Sequence, residues 1–504
     1  DSDFLFQLTD DTGMNPVKLV VLISESEPAV SVAEHDLNIK IQKYEFTPPA
    51  DPNYSQQWHL HQHLPENEDY DHRSSAQCEA AWRLLGNYGS PEVVIAISDD
   101  GCQINHQDFN SPGKFAGWGY FQYNSLIRNN DIGANPALMY QPGADHGTSC
   151  AGVAAGEVDG VLTVGAAPGC RLLPIKWQST ADGGLSISDS KLMTALTFIS
   201  DKADVFSNSW GASPEMNFSQ LVLNRIQQLS LTGGRRGKGI VFLWAAGNEN
   251  CPIDYSGNID IPYDSGVRII SGAARWVGVN TSRNFEHNLT SIPGVLHIAA
   301  LASTAQRSHY SNYGPNISLC APSSNGHEYW RLAVRGLDIV TASGVDPYFT
   351  EFFGGTSSAT PLVAGIAALV ISAGPDLSAA AVISILKQSA SRDLNMAGYQ
   401  RTPPAGFDPD TSWDVSPVPP FNAGVFADTG SPDGPWSPWF GFGKVDAYAA
   451  VRMVAAPAEQ EVAALKIKSA LINPAGTDAG RETITLLNPG SQDISLEGWL
   501  IRNQ

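Results

Sequence analysis

Between Phe353 and Gly374 the chain reads FGGTSSATPLVAGIAALVISAG, and this run constrains everything placed around it. From Leu362 to Val370 every residue is apolar or glycine. A segment with no polar face must lie inside a large core or cross a membrane. No uninterrupted apolar run in the chain reaches the roughly 18 residues that a membrane span needs, so the core is the expected place. Pro361 near the start and Gly374-Pro375 at the end mark the run as a helix. Gly354-Gly355 lets the backbone turn tightly before it. Ser357 then falls in the first turn, among unpaired N–H groups at the positive end of the helix dipole. Negative charge developing on a nearby oxygen is stabilised there. A serine at this position is also an ordinary helix cap, and only the rest of the chain decides between the two roles.

A buried helix of this kind needs apolar layers on every side. Of the 504 residues, 42% are apolar and only 16% charged, enough for a large core and too apolar for global disorder. Short apolar strands are expected at 92–98, 204–208 and 239–244, ending in Asp99-Asp100-Gly101, Ser209-Trp210-Gly211 and Ala245-Ala246-Gly247-Asn248. Helices are expected from His146 to Gly156, from Ser378 to about 390, and within 441–454. Strands alternating with helices mean an α/β, three-layer fold with a parallel central sheet. Such sheets bind ligands beyond the carboxyl ends of their strands, where Asp99, Ser209 and Asn248 fall.

The chain divides into residues 1–47, 48–455 and 456–504. In the first segment Val17–Ile23 and Asn38–Tyr44 read as strands, closed by Pro48-Pro49, and suggest an N-terminal extension or the remnant of a pro-region. The last segment reads as a small, incomplete β domain. The sequence begins at Asp1 without Met, which suggests a processed N-terminus.

With 30 basic against 51 acidic residues the formal charge is −21, which argues against nucleic acid and favours cationic partners. The six cysteines contain no CxxC pair, so a zinc site is not expected, and one or two disulfides remain open.

Hydrolysis by a serine nucleophile needs a base, a carboxylate that orients the base, and donors for the oxyanion. His146 is the candidate base, Asp99 its orienter, Asn248 a side-chain donor, and the Ser357 N–H a second donor. Asp99-Asp100-Gly101, His146-Gly147-Thr148, Ala246-Gly247-Asn248 and Gly355-Thr356-Ser357, with Ala359 and Pro361, resemble the subtilisin-like serine peptidases. They stand in that family's order of Asp, His, Asn, Ser. Asp51-Pro52-Asn53-Tyr54-Ser55-Gln56-Gln57-Trp58, Ala80-Ala81-Trp82, Asn105-His106-Gln107-Asp108 and Ser209-Trp210-Gly211 resemble its kexin and furin branch. The resemblance covers roughly residues 50–455.

That resemblance implies a calcium-dependent serine endopeptidase acting on protein or peptide substrates after Arg or Lys, with dibasic sites as a candidate context. Ser209, Trp210 and Gly211 would pair with substrate as an added strand. Asp100 would line the pocket for the residue two before the cut, and Asp254 the pocket for the residue at the cut. Ala212-Ser213-Pro214-Glu215 lacks an aspartate that the branch has there, and Leu192 stands near the position of its acidic site four residues upstream. Calcium is the implied cofactor, held by Asp51, Asp108 and Asp159 with carbonyls of Glu157, Val161 and Thr163. A pro-region or inhibitor protein is an implied partner, and a secreted or periplasmic location the implied setting. Residues 475–482 and 487–499 resemble the opening of a lamin-tail-type domain cut off at Gln504. Two alternatives remain: a broad-specificity subtilisin, and an inactive binding or adhesion protein of the same fold.

Overall fold

The structure is a computed structural model, described over residues 16–26, 46–180, 183–264, 267–270, 273–276, 278–327, 333–398, 421–455, 466–471 and 483–487. The chain forms two compact units, Asp1–Thr47 and Pro48–Gln504.

In the first unit Pro16–Ser26 is a helix, which corrects the strand expected over 17–23. A short apolar run cannot separate the two by periodicity, and Pro16 with its fixed φ is already suited to a first helical position. The strand expected over 38–44 and the lamin-tail resemblance over 475–482 and 488–499 lie outside the described residues.

The second unit is built on an eight-stranded sheet. Its spatial order is Ile317–Pro322, Val295–Leu301, Val241–Ala245, Val205–Asn208, Val94–Asp99, Arg171–Lys176, Gly119–Gln122 and Ser125–Arg128. All neighbours are parallel except the last pair, an antiparallel hairpin at one edge. Helices Asp189–Ile199 and Gln220–Thr232 cover one face through a core that includes Phe206, Phe242 and Trp244. His146–Ala155 and Thr356–Ala373 cover the other face. Near the C-terminus Lys466–Leu471 and Thr483–Leu487 form an antiparallel pair.

Thr356–Ala373 is long and apolar enough to cross a membrane by length and composition, but it is buried within the fold from Thr356 to Ile371. Pro361 lies deeper in this helix than the first turn. It has no N–H to offer the carbonyl four residues back, which is that of Ser357. The freed Ser357 carbonyl accepts the Ser209 hydroxyl at 3.0 Å and the Cys150 thiol at 3.6 Å. All six cysteines are buried and none is in a disulfide, which closes the question left open by their number.

Three histidines make the fold sensitive to acid. His59 is buried with neither ring nitrogen hydrogen-bonded among the described residues, and burial, helped by His61, pushes it down to about 3. Burial pushes His287 down to about 4, and its neighbour His297, 3.4 Å away, also lies well below the usual value. Each is neutral in the fold and titrates near 6.5 once unfolded. As pH falls below 6.5 the unfolded chain takes up protons that the folded one refuses. Their contribution to stability is therefore complete above pH 6.5 and lost as pH drops toward 4. The urea midpoint of the wild type should fall over this window, and that of His287→Phe should fall less. Identical pH profiles for the two proteins would contradict the assignment.

Candidate active site

Register brings the candidate groups to one edge of the sheet. Ser98 lies opposite Asn208, and Asn208 opposite Trp244, so Asp99, Ser209 and the 246–248 turn leave their strands side by side. The indole N–H of Trp210 donates to Ser98 Oγ at 2.9 Å and fixes the segment that follows Ser209.

Asp99 is buried, and its Oδ1 is 2.7 Å from His146 Nδ1 while also accepting the Asp100 N–H at 2.8 Å. His146 begins its helix directly against the strand of Asp99. A Cβ on Gly147 would lie 2.0 Å from the Gly101 carbonyl and 2.7 Å from Asp99 Cβ, so only glycine permits this approach. Burial works to lower the His146 pKa, but the Asp99 charge, with Cys150 adding, carries the imidazole well above the usual histidine value. The Phe353 ring meets His146 edge-on at 5.6 Å. Cys150 Sγ lies 3.9 Å from His146 Nδ1 and 3.6 Å from the Ser357 carbonyl, placing one thiol between the two segments. Burial pushes that thiol up to about 11, which suits a packing group rather than a nucleophile.

Ser357 is buried in the first turn of its helix, and its Oγ donates to the Ser209 carbonyl at 3.3 Å. Among the described residues its hydroxyl is not hydrogen-bonded to His146. Asn248 Oδ1 accepts both the Thr356 N–H (2.8 Å) and the Thr356 hydroxyl (3.0 Å). A backbone N–H can only donate, so these bonds fix which amide atom is oxygen and leave Nδ2 as the outward donor. Gly355 has φ +73°, and a Cβ there would stand 3.1 Å from Asn248 Nδ2.

Asp99, His146 and Ser209 border a cleft of about 520 Å³, lined also by Asp100, Gly183–Leu185, Ile187, Trp210–Ala212, Met216 and Phe218. Asp100 is in this lining, and its Oδ1 accepts the Gly147 N–H at 2.8 Å. Burial, then the neighbouring Asp99 charge, pushes it up to about 6. Ser209, Trp210 and Gly211 form one wall, and Gly183–Leu185 is a wall that the sequence reading did not assign. Thr356, which orients Asn248, and Phe353 were also missed; neither residue type carries a signal of its own outside the fold. Leu192 is buried in the core. Glu215 is exposed and Asp254 half-buried, and neither is in the cleft lining.

A second cluster lies around the 157–163 loop. Asp51 Oδ1 accepts the N–H groups of Asp159 and Gly160 at 3.2 and 3.1 Å. Asp108 Oδ2 accepts the Thr163 hydroxyl at 2.6 Å and its N–H at 3.3 Å. Asp159 Oδ1 accepts the Val161 N–H at 2.9 Å, and Glu157 Oε2 accepts the Ser111 N–H at 3.1 Å. Among the described residues, the other oxygens of the two buried aspartates, Asp51 Oδ2 and Asp108 Oδ1, have no hydrogen-bond partner. Burial, reinforced by Asp159 and Asp51, pushes Asp108 up to about 8, while burial also raises Asp51 and Asp159. Two orphaned carboxylate oxygens in an acidic pocket rich in oxygen donors fit a hard divalent cation.

The model of the subtilase family, Peptidase_S8, matches residues 90–411. The chain belongs to the subtilase family. Among curated proteins it is 29% identical over 434 residues to a calcium-dependent protease of Nostoc sp., covering 81% of this chain and 52% of that protein. It is 28% identical to a dibasic-processing endoprotease of Yarrowia lipolytica, covering 65% of this chain and 28% of that protein. This subtilase thus spans about half the length of the first of these relatives and less of the second. The solved structure of the Aeromonas sobria serine protease superposes with a TM-score of 0.55 at 22% identity, covering 89% of this chain and 74% of that one. The subtilisin-like fold expected from the sequence is therefore the fold observed.

Proposed function

We propose that this subtilase is a calcium-stabilised serine endopeptidase that cuts after Arg or Lys. The observation that carries the reading is the hydrogen bond from His146 Nδ1 to the buried Asp99, beside a serine at the start of a helix. In the neutral imidazole, with Nδ1–H given to Asp99, the Nε2 lone pair is the one left to take the Ser357 proton. Ser357 Oγ then attacks the scissile carbonyl, and its oxygen draws charge that Asn248 Nδ2 and the Ser357 N–H receive. His146 returns the proton to the leaving amine, and water repeats the cycle on the acyl-enzyme. The substrate backbone lies as an added strand between Ser209–Gly211 and Gly183–Leu185. Asp100 offers a negative charge to a basic residue two before the cut.

Asp51, Asp108 and Asp159, with the carbonyls of Glu157, Val161 and Thr163, would hold calcium. A cation held there would offset the charge of the buried Asp51 and Asp108 and tie down the loop that follows the His146 helix. The name of the Nostoc relative supports calcium, and that of the Yarrowia relative supports basic specificity. An extracellular protease of Natrialba magadii, 26% identical, supports secretion. Fluorogenic peptides differing only at the cut site test the specificity. Arg and Lys should be preferred over Leu and Phe; a preference for Leu or Phe would replace this reading with that of a broad subtilisin.

A further inference from the structure

One residue past Ala212, where the Ser209–Ala212 wall of the cleft ends, Ser213 holds a carboxylate that the specificity reading above leaves unassigned. Strands Val205–Asn208 and Val241–Ala245 are parallel neighbours, so the segments leaving them, Ser209–Ser213 and Ala246–Glu249, run side by side. The first carries the carbonyl that holds Ser357 Oγ, and the second carries Asn248. A substrate residue whose carbonyl sits between Ser357 Oγ and Asn248 Nδ2 is flanked by these two segments. Just beyond Ala212, Ser213 Oγ donates to Glu249 Oε2 at 2.9 Å. Asn312 Nδ2 donates to the same oxygen at 2.7 Å, and Asn312 Oδ1 accepts the Glu249 N–H at 3.0 Å. The turn is fitted to this carboxylate: a Cβ on Gly247 would stand 2.5 Å from Glu249 Oε2 and 2.3 Å from Asn312 Nδ2.

Among the described residues every donor to Glu249 is neutral. Burial pushes its carboxyl above the usual range, and no cation is among the described groups acting on it. A desolvated carboxylate without a counter-charge is costly to keep ionised unless a cation arrives to pair with it. Asp254, the residue expected here from sequence, instead accepts Asn316 Nδ2 at 3.3 Å and feels the like charge of Glu286.

We propose that Glu249, oriented by Ser213 and Asn312, is the group that receives the guanidinium or ammonium of the substrate residue at the cut. This rests on the peptidase reading. Matched peptides with Arg or its neutral isostere citrulline at the cut site test it, with wild type, Glu249→Gln, Glu249→Asp and Asp254→Asn. In the wild type kcat/KM should favour Arg over citrulline by at least about 100-fold. Glu249→Gln should reduce that ratio to below about 10-fold, and Glu249→Asp should retain most of it. A wild-type ratio near one overturns the assignment whatever the variants do. So does an unchanged ratio in Glu249→Gln, or a collapse in Asp254→Asn instead. A wild type that cuts none of the peptides and takes no fluorophosphonate label removes the peptidase reading itself, and this assignment with it.

Discussion

Ser357→Ala should abolish peptide hydrolysis while leaving the protein folded. Its Oγ makes one 3.3 Å hydrogen bond, to the Ser209 carbonyl, and the Ser209 hydroxyl bonds the residue 357 carbonyl, which alanine keeps. Stability should therefore change by less than about 1 kcal/mol, whereas the reaction loses its nucleophile. In subtilisin itself the equivalent loss is about a million-fold in kcat, and that relative's magnitude sets the scale expected here. Melting temperature and peptide turnover measured on the same preparation separate the two effects. A variant that melts like the wild type and keeps more than about a hundredth of its activity would point to a nucleophile elsewhere.

Calcium removal has the second largest expected effect, and it acts through stability. Without a cation, the buried Asp51 and Asp108 each hold one oxygen with no partner among the described residues, next to Asp159. A ligand present at about a thousand times its dissociation constant stabilises the native state by about 4 kcal/mol. For a domain of this size or somewhat smaller, each kcal/mol moves the melting temperature by about 2–4 °C. EGTA should therefore lower it by about 10 °C, and added calcium, but not magnesium at the same concentration, should restore it. Asp108→Asn should lower the melting temperature in calcium and shrink the response to EGTA. An unchanged melting curve after prolonged chelation would remove the metal from the account.

The parts of this molecule that were legible in its sequence share a physical cause. A strand buried on both faces must be a short apolar run, so Val94–Asp99, Val205–Asn208 and Val241–Ala245 stood out, and polar residues at their ends had to face the cleft. Thr356–Ala373 was legible because an element apolar on every side has few places to go. Pro16–Ser26 was misread because an apolar run beginning at a proline satisfies a strand and a helix equally well until its hydrogen bonds are seen. The hidden parts of the site depend on distance in space. Nothing local marks Thr356 as the residue that turns Asn248, or Gly183–Leu185 as a wall facing Ser209–Gly211. Pro361 was visible, but its effect on the Ser357 carbonyl emerges only once Ser209 is placed beside it. Asp254 was chosen by order along the chain, whereas Glu249 is distinguished by what Ser213 and Asn312 do around it.

In the proposed mechanism Asp99 and His146 activate Ser357 for attack. Its most direct measurement is labelling with a fluorophosphonate, followed by mass mapping of the modified peptide. One adduct per chain on Ser357, strongly slowed in His146→Ala, is the predicted result. No adduct, or an adduct on another residue with Ser357 untouched, would contradict it.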